Sequence, residues 1–77
     1  MSTNKGGKMK INLGKRLKEL REEKGLTQKE VAEKLYIHSV TYLHYEKSQR
    51  EPPLSLLVDM AMFYNVSVDY LLGISDN

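Results

Sequence analysis

Residues 27–46 read TQKEVAEKLYIHSVTYLHYE. Two short helical patterns lie on either side of Tyr36-Ile37-His38. Thr27-Gln28-Lys29-Glu30 is a capping box: the Thr27 hydroxyl is spaced to accept from the amide of residue 30, and the Glu30 carboxylate to reach back to the amide of Thr27. Val31, Ala32 and Leu35 follow as an apolar stripe, and a further helix is expected from near Ser39 to about Lys47. Neither segment is stable alone in water, where helices shorter than roughly 12–15 residues are marginal. Two helices joined by a three- or four-residue turn pack steeply when the contact point is small and the inner positions are apolar. Ala32 supplies the first condition, and Val31, Leu35, Ile37, Tyr42 and Tyr45 the second. That leaves the leading end of the later helix projecting, with Ser39, Val40, Leu43 and His44 on its free face. A helix of this diameter fits the major groove of duplex DNA, where Leu43 beside Val40 would meet thymine methyls and His44 a base acceptor or a phosphate. The same residues also suit the plain surface of a generic helical bundle, since an exposed leucine is ordinary by itself.

Outward from this stretch the helical period continues. Leu13, Leu17 and Leu20 share one face of a first helix, which Gly25 closes with Lys24 in its last turn. Ser48-Gln49-Arg50-Glu51-Pro52-Pro53 is a loop, because the prolines exclude helix up to its end. Leu54, Leu57, Met60, Ala61 and Tyr64 mark a fourth helix that stops at Asn65. Ser67 caps a short fifth containing Val68, Leu71 and Leu72, closed by Gly73. With no strand pattern or repeat, the expected fold is all-α: a compact five-helix domain over 11–74. A polar, lysine-bearing, disordered tail is expected at 1–10, and a short tail at 75–77.

The chain has 77 residues, one domain's worth. A domain this small buries only about 60% of the surface its unfolded chain exposes. It has no cysteine, which suits a reducing compartment and excludes disulfides and thiolate metal sites. No apolar run reaches the roughly 18 residues of a membrane span. The N-terminus has no apolar segment of the signal-peptide kind, so a cytoplasmic protein is expected. Charge is divided: residues 1–50 hold all twelve Lys and Arg against six acids, a net of +6, while 51–77 hold four acids and no base, a net of −4. A polyanion partner on one side suits that division, as does a merely uneven solvated surface. His38 and His44 are six residues apart, the wrong spacing for one helix face, and no other ligands converge, so no metal is expected. No nucleophile lies near either histidine, so the reading is not an enzyme, with no cofactor or small-molecule ligand.

The segments LGKRLKELREEKGLTQKEVAEKL, YEKSQREP and FYNVSVDYLLG, spanning about residues 13 to 73, resemble the Cro/CI-type (Xre family) helix-turn-helix regulators of bacteria and phages. The resemblance implies a lambda-repressor-like five-helix DNA-binding domain whose second and third helices form the reader. It implies phosphate contact by Gln28 at the start of helix two, which would also support a side chain of the reading helix, and backbone contact by Thr27, Thr41, Lys47 and Arg50. Base reading falls to Ser39, Val40 and His44. It also implies an ion pair between Arg21 and Glu46 tying helix one to helix three; losing one partner would cost about 3–5 kcal/mol if the pair is buried, and an exposed pair would be worth under about 1 kcal/mol. The implied function is sequence-specific binding of a double-stranded DNA operator as a transcriptional repressor.

Several positions depart from the family pattern. Tyr36 stands where the turn usually has glycine, so the turn is either strained by roughly 1 kcal/mol or more or reshaped, with Tyr36 near the DNA. His38 stands where helix three usually has its serine cap, which would recruit Ser39 as cap and remove it from base reading. Tyr42 stands at a usual Ile or Val position and its hydroxyl needs a partner or an exit to solvent. Pro53 replaces the usual cap of helix four. One such domain covers few base pairs, so a homodimer on a palindromic operator is expected, with reading helices about 34 Å apart. Leu56, Met62, Phe63 and Tyr70 fall off the main core stripe and are candidates for its interface; completing a small core is the other use for Phe63 and Tyr70. The alternative from another class is a protein-binding module, an antitoxin or adaptor built on the same bundle.

Overall fold

The computed structural model describes residues 11–74; the tails expected at 1–10 and 75–77 lie outside the described residues. Five α-helices follow in order: α1 Leu13–Glu23, α2 Gln28–Leu35, α3 Ser39–Glu46, α4 Leu54–Tyr64 and α5 Val68–Leu72. Among the described residues there is no strand, and no helix is long and apolar enough to cross a membrane.

The helix starts follow local chemistry. The Thr27 capping box is formed in both directions, with Glu30 N donating to Thr27 Oγ1 at 3.0 Å and Thr27 N to Glu30 Oε1 at 2.8 Å. Ser67 caps α5 by accepting from Tyr70 N at 2.9 Å. Neither His38 nor Pro53 makes a side-chain cap. Ser39 does not replace His38 as the cap of α3, because it is already the first residue of the helix.

All five helices end in the same way. The residue after each last turn has positive φ: Gly25 68°, Tyr36 60°, Ser48 59°, Asn65 58° and Gly73 82°. The next amide then folds back to a carbonyl five residues earlier, as in Leu26 N to Arg21 O at 3.2 Å and Ile37 N to Ala32 O at 3.0 Å. This closure satisfies carbonyls that the helix end would otherwise leave unpaired. Leu26, Ile37 and Val66, which follow three of these closures, turn inward against the core. The turn between α2 and α3 is therefore not reshaped around Tyr36; the tyrosine adopts the glycine conformation and carries its strain.

The core gathers Leu13, Leu17 and Leu20 from α1 with Val31, Ala32 and Leu35 from α2, and Tyr42 and Tyr45 from α3. Leu57, Met60, Ala61 and Tyr64 of α4 and Leu71 of α5 complete it. Both α1 and α2 pack on α3, while α5 bridges α1 and α4. Gly14 sets the approach of α1 to the end of α3. A Cβ there would lie 2.4 Å from the Glu46 carbonyl oxygen and 2.6 Å from Ser48 Oγ, closer than any side chain tolerates.

Candidate nucleic-acid interface

Helix α3 has one face locked and one free. Tyr42, Tyr45 and Glu46 are buried, whereas Ser39 is exposed and Val40 is 60% exposed at the leading end. Thr41, Leu43 and His44 are half-buried along the flank. This arrangement follows from helical spacing: positions 42, 45 and 46 recur three and four residues apart and must face the core together, which turns 40, 43 and 44 away from its centre, while Ser39 is exposed because it opens the helix. At the start of α2, Thr27 is exposed, and past the end of α3 so are Lys47 and Arg50. The structure thus brings the expected contact residues to the start of α2, the outer side of α3 and the loop beyond it.

Behind the free face, Glu46 anchors α3 to the rest of the domain. Arg21 Nε donates to Glu46 Oε2 at 2.7 Å and Arg21 Nη2 to Glu46 Oε1 at 3.1 Å, a two-pronged pairing. Their side chains are 13% and 2% exposed, so the pair is shielded from solvent. The third prong of the guanidinium, Nη1, donates to the Leu26 carbonyl at 2.9 Å, which ties the same residue to the α1–α2 turn. Burial pushes the Glu46 carboxyl upward, but hydrogen bonds from Arg21, Gln28 and Tyr42 outweigh it and hold the group below the usual carboxylate value. The hydrogen bond to Glu46 in turn raises Arg21 above the ordinary arginine value, against the pull of burial.

Gln28, expected at a phosphate, is half-buried and donates from Nε2 to Glu46 Oε1 at 3.0 Å. Its side chain therefore belongs to the anchor, while its place in the first turn of α2 remains beside the candidate interface. The Tyr42 hydroxyl finds its partner inside the core, 2.6 Å from that of Tyr64 on α4. Burial raises both tyrosines well above the usual value, Tyr64 to about 12. Spacing alone suggested neither the Tyr42–Tyr64 bond nor the Gln28–Glu46 bond, because each joins helices far apart in sequence. Gly14 was also missed; the one sign was a glycine in the first turn of a helix, where the residue has low propensity.

Of the four residues expected at a dimer interface, three pack inward and one stands out. Leu56, Phe63 and Tyr70 are partly buried and pack on the core. The Phe63 ring meets Tyr64 edge-on with centroids 4.9 Å apart, and the Arg16 guanidinium lies 4.3 Å from the Tyr70 ring centre. Met62 alone is strongly exposed.

Comparison with known proteins agrees with this geometry. A family model described as Helix-turn-helix, HTH_3, matches residues 17–71. The HTH-type transcriptional regulator ImmR of Bacillus subtilis is 51% identical over 63 residues, covering 82% of this chain and 50% of ImmR. The cryptic phage CTXphi transcriptional repressor RstR of Vibrio cholerae is 36% identical over 61 residues, covering 79% of this chain and 55% of RstR. The chain thus spans about half the length of the curated relatives it matches. Among solved structures, a transcriptional regulator from Listeria innocua superposes with a TM-score of 0.81 at 25% identity, over 90% of this chain and 64% of the other. The P22 c2 repressor, solved with a synthetic operator, superposes with a TM-score of 0.78 at 22% identity, over 87% of this chain and all of the other, a likeness of fold. A free-faced α3 seated on α2, a match across most of the chain and these relatives lead to one conclusion: the chain belongs to the Xre-type helix-turn-helix family.

Proposed function

We propose that this chain is the DNA-binding part of a cytoplasmic transcriptional repressor, and that two copies bind a palindromic double-stranded operator with α3 in the major groove. The observation that carries this reading is the asymmetry of α3: its rear is fixed by the Arg21–Glu46 pair while Ser39 and Val40 stand free at its leading end. A rigid helix with an unencumbered leading end is what base reading requires. In this reading Ser39, Val40, Leu43 and His44 meet base edges. Thr27, Thr41, Lys47 and Arg50 meet the backbone, and the first turn of α2 offers the Gln28 amide to a phosphate. The names of ImmR and RstR, a transcriptional regulator and a transcriptional repressor, support the same class.

Selection of bound sites from a random oligonucleotide pool tests it, followed by gel shifts on the selected site at two salt concentrations. Affinity is expected to fall with salt, log K dropping by about 0.9 for each phosphate neutralised per log unit of salt. His44→Ala is expected to alter base preference, and Arg50→Ala to weaken binding to all sequences alike. Uniform loss in both variants would refute the division of roles. Absence of any salt-sensitive binding would refute the DNA reading and leave the protein-binding module.

A further inference from the structure

Two buried hydroxyls meet behind the free face of α3. Tyr42 of α3 and Tyr64 of α4 lie in the core with their oxygens 2.6 Å apart. Burying a hydroxyl costs free energy that an aliphatic side chain avoids, and a hydrogen bond does little more than offset that cost. Helix α3 packs closely on α1 and α2 and less closely on α4, so the two rings span a gap that helix packing leaves. The order of the protons follows from the charge of Glu46. Tyr42 stands four residues before Glu46, on the same face of α3, and donates to its carboxylate. A tyrosine has one hydroxyl proton, so the proton between the two rings comes from Tyr64. The donors therefore run from Tyr64 to Tyr42 to Glu46, and the same carboxylate accepts from Arg21 and Gln28.

We propose that Tyr64 is a positioning residue for DNA reading: its hydroxyl, donating to Tyr42, fixes the direction in which α3 presents its leading end. Glu46 is the last residue of α3, and Ser39 the first. At 1.5 Å per residue the two are about 10 Å apart along the axis, so a tilt of about 10° about Glu46 moves Ser39 by about 2 Å. A hydrogen bond to a base edge does not survive such a shift. Long side chains at a phosphate, such as Lys47 and Arg50, readjust to it. Packing on α1 and α2 limits the tilt toward those helices. Toward α4 the tyrosine bond limits it, one turn behind the leading end. The inference rests on the DNA reading given under Proposed function and names what aims the helix.

The test measures the affinity of the full 77-residue chain and its variants for a selected site and for random duplex, at a temperature where each variant keeps the circular dichroism of the folded parent. Tyr64→Phe keeps the ring and removes only the donor. It is expected to lower affinity for the selected site about tenfold, the scale of one mismatched base pair. Affinity for random duplex is expected to stay the same, because phosphate contacts supply it. Tyr42→Phe is expected to reduce site preference likewise. It should also lower the melting temperature further than Tyr64→Phe does, since it leaves the Tyr64 hydroxyl buried without an acceptor. The double variant Y42F/Y64F has no orphaned hydroxyl, and is expected to regain melting temperature over Tyr42→Phe without regaining site preference. Recovery of both, or a selected-to-random ratio equal to the parent's in every variant, overturns the positioning role and leaves the DNA reading standing. A parent chain that binds no duplex with preference overturns both.

Discussion

Glu46→Gln is the substitution that most directly probes how α3 is held. The change keeps size and shape and removes one charge. Glu46 accepts from Arg21 at 2.7 and 3.1 Å and from Gln28 at 3.0 Å, and the Arg21 side chain is only 13% exposed. Glutamine can accept through one oxygen only, and its amide would point donors at a guanidinium that already donates. The guanidinium is then left shielded and uncompensated, a situation that costs about 3–5 kcal/mol. Domains have total stabilities of about 5–15 kcal/mol, and small ones lie toward the low end. The variant should therefore lose a third or more of its stability, lowering the melting temperature by at least about 12 °C at roughly 4–8 °C per kcal/mol for a domain of this size. Urea unfolding followed by far-UV circular dichroism measures it, with an unchanged slope confirming that only stability moved. The paired replacement Arg21→Met with Glu46→Leu is expected to recover much of the loss, because apolar side chains of similar volume avoid the desolvation of both charges. A loss below about 1 kcal/mol for Glu46→Gln would show that the pair behaves as an exposed one, and the account of a rigidly seated α3 would fail.

Gly14→Ala should destabilise by about 1–3 kcal/mol, since its Cβ meets the Glu46 carbonyl oxygen; a melting curve matching the parent would show that α1 shifts without cost. Thr27→Ala removes one half of the capping box and should cost about 0.5–2 kcal/mol by urea unfolding. Stability should also be bounded at both ends of the pH scale. Glu46 is held below its ordinary value in the fold, so its contribution is full above the unfolded value near 4.3 and is lost as pH falls through the lower folded value. Tyr42 and Tyr64 are raised, so their contribution is full below about pH 10 and is lost as pH rises toward the folded value, about 12 for Tyr64. Thermal melts across pH read both limits, and Tyr42→Phe should flatten the alkaline one.

Each helix could be read from local chemistry in the sequence. The capping box at Thr27, the serine at 67, the glycines at 25 and 73 and the three-and-four spacing of Leu13, Leu17 and Leu20 each act within one or two turns of chain, so position in the sequence is enough to specify them. Which side of α3 faces outward was legible for the same reason, because Tyr42, Tyr45 and Glu46 cannot share a face with Val40 and His44, while Ser39, one turn before Tyr42, is exposed by standing first in the helix. The turn at Tyr36 was not settled in this way. The residue's own preference argues against positive φ, and the packing of Ile37 together with the bonds from Tyr36 N to Glu33 O and from Ile37 N to Ala32 O holds it there. Partner choice lay equally beyond local reading. The Tyr42 hydroxyl meets Tyr64, 22 residues away, and Gln28 meets Glu46, 18 residues away. Such pairs depend on how α1, α2 and α4 lie against α3, and that arrangement is fixed by core volume and by the close approach at Gly14 rather than by any signal along the chain.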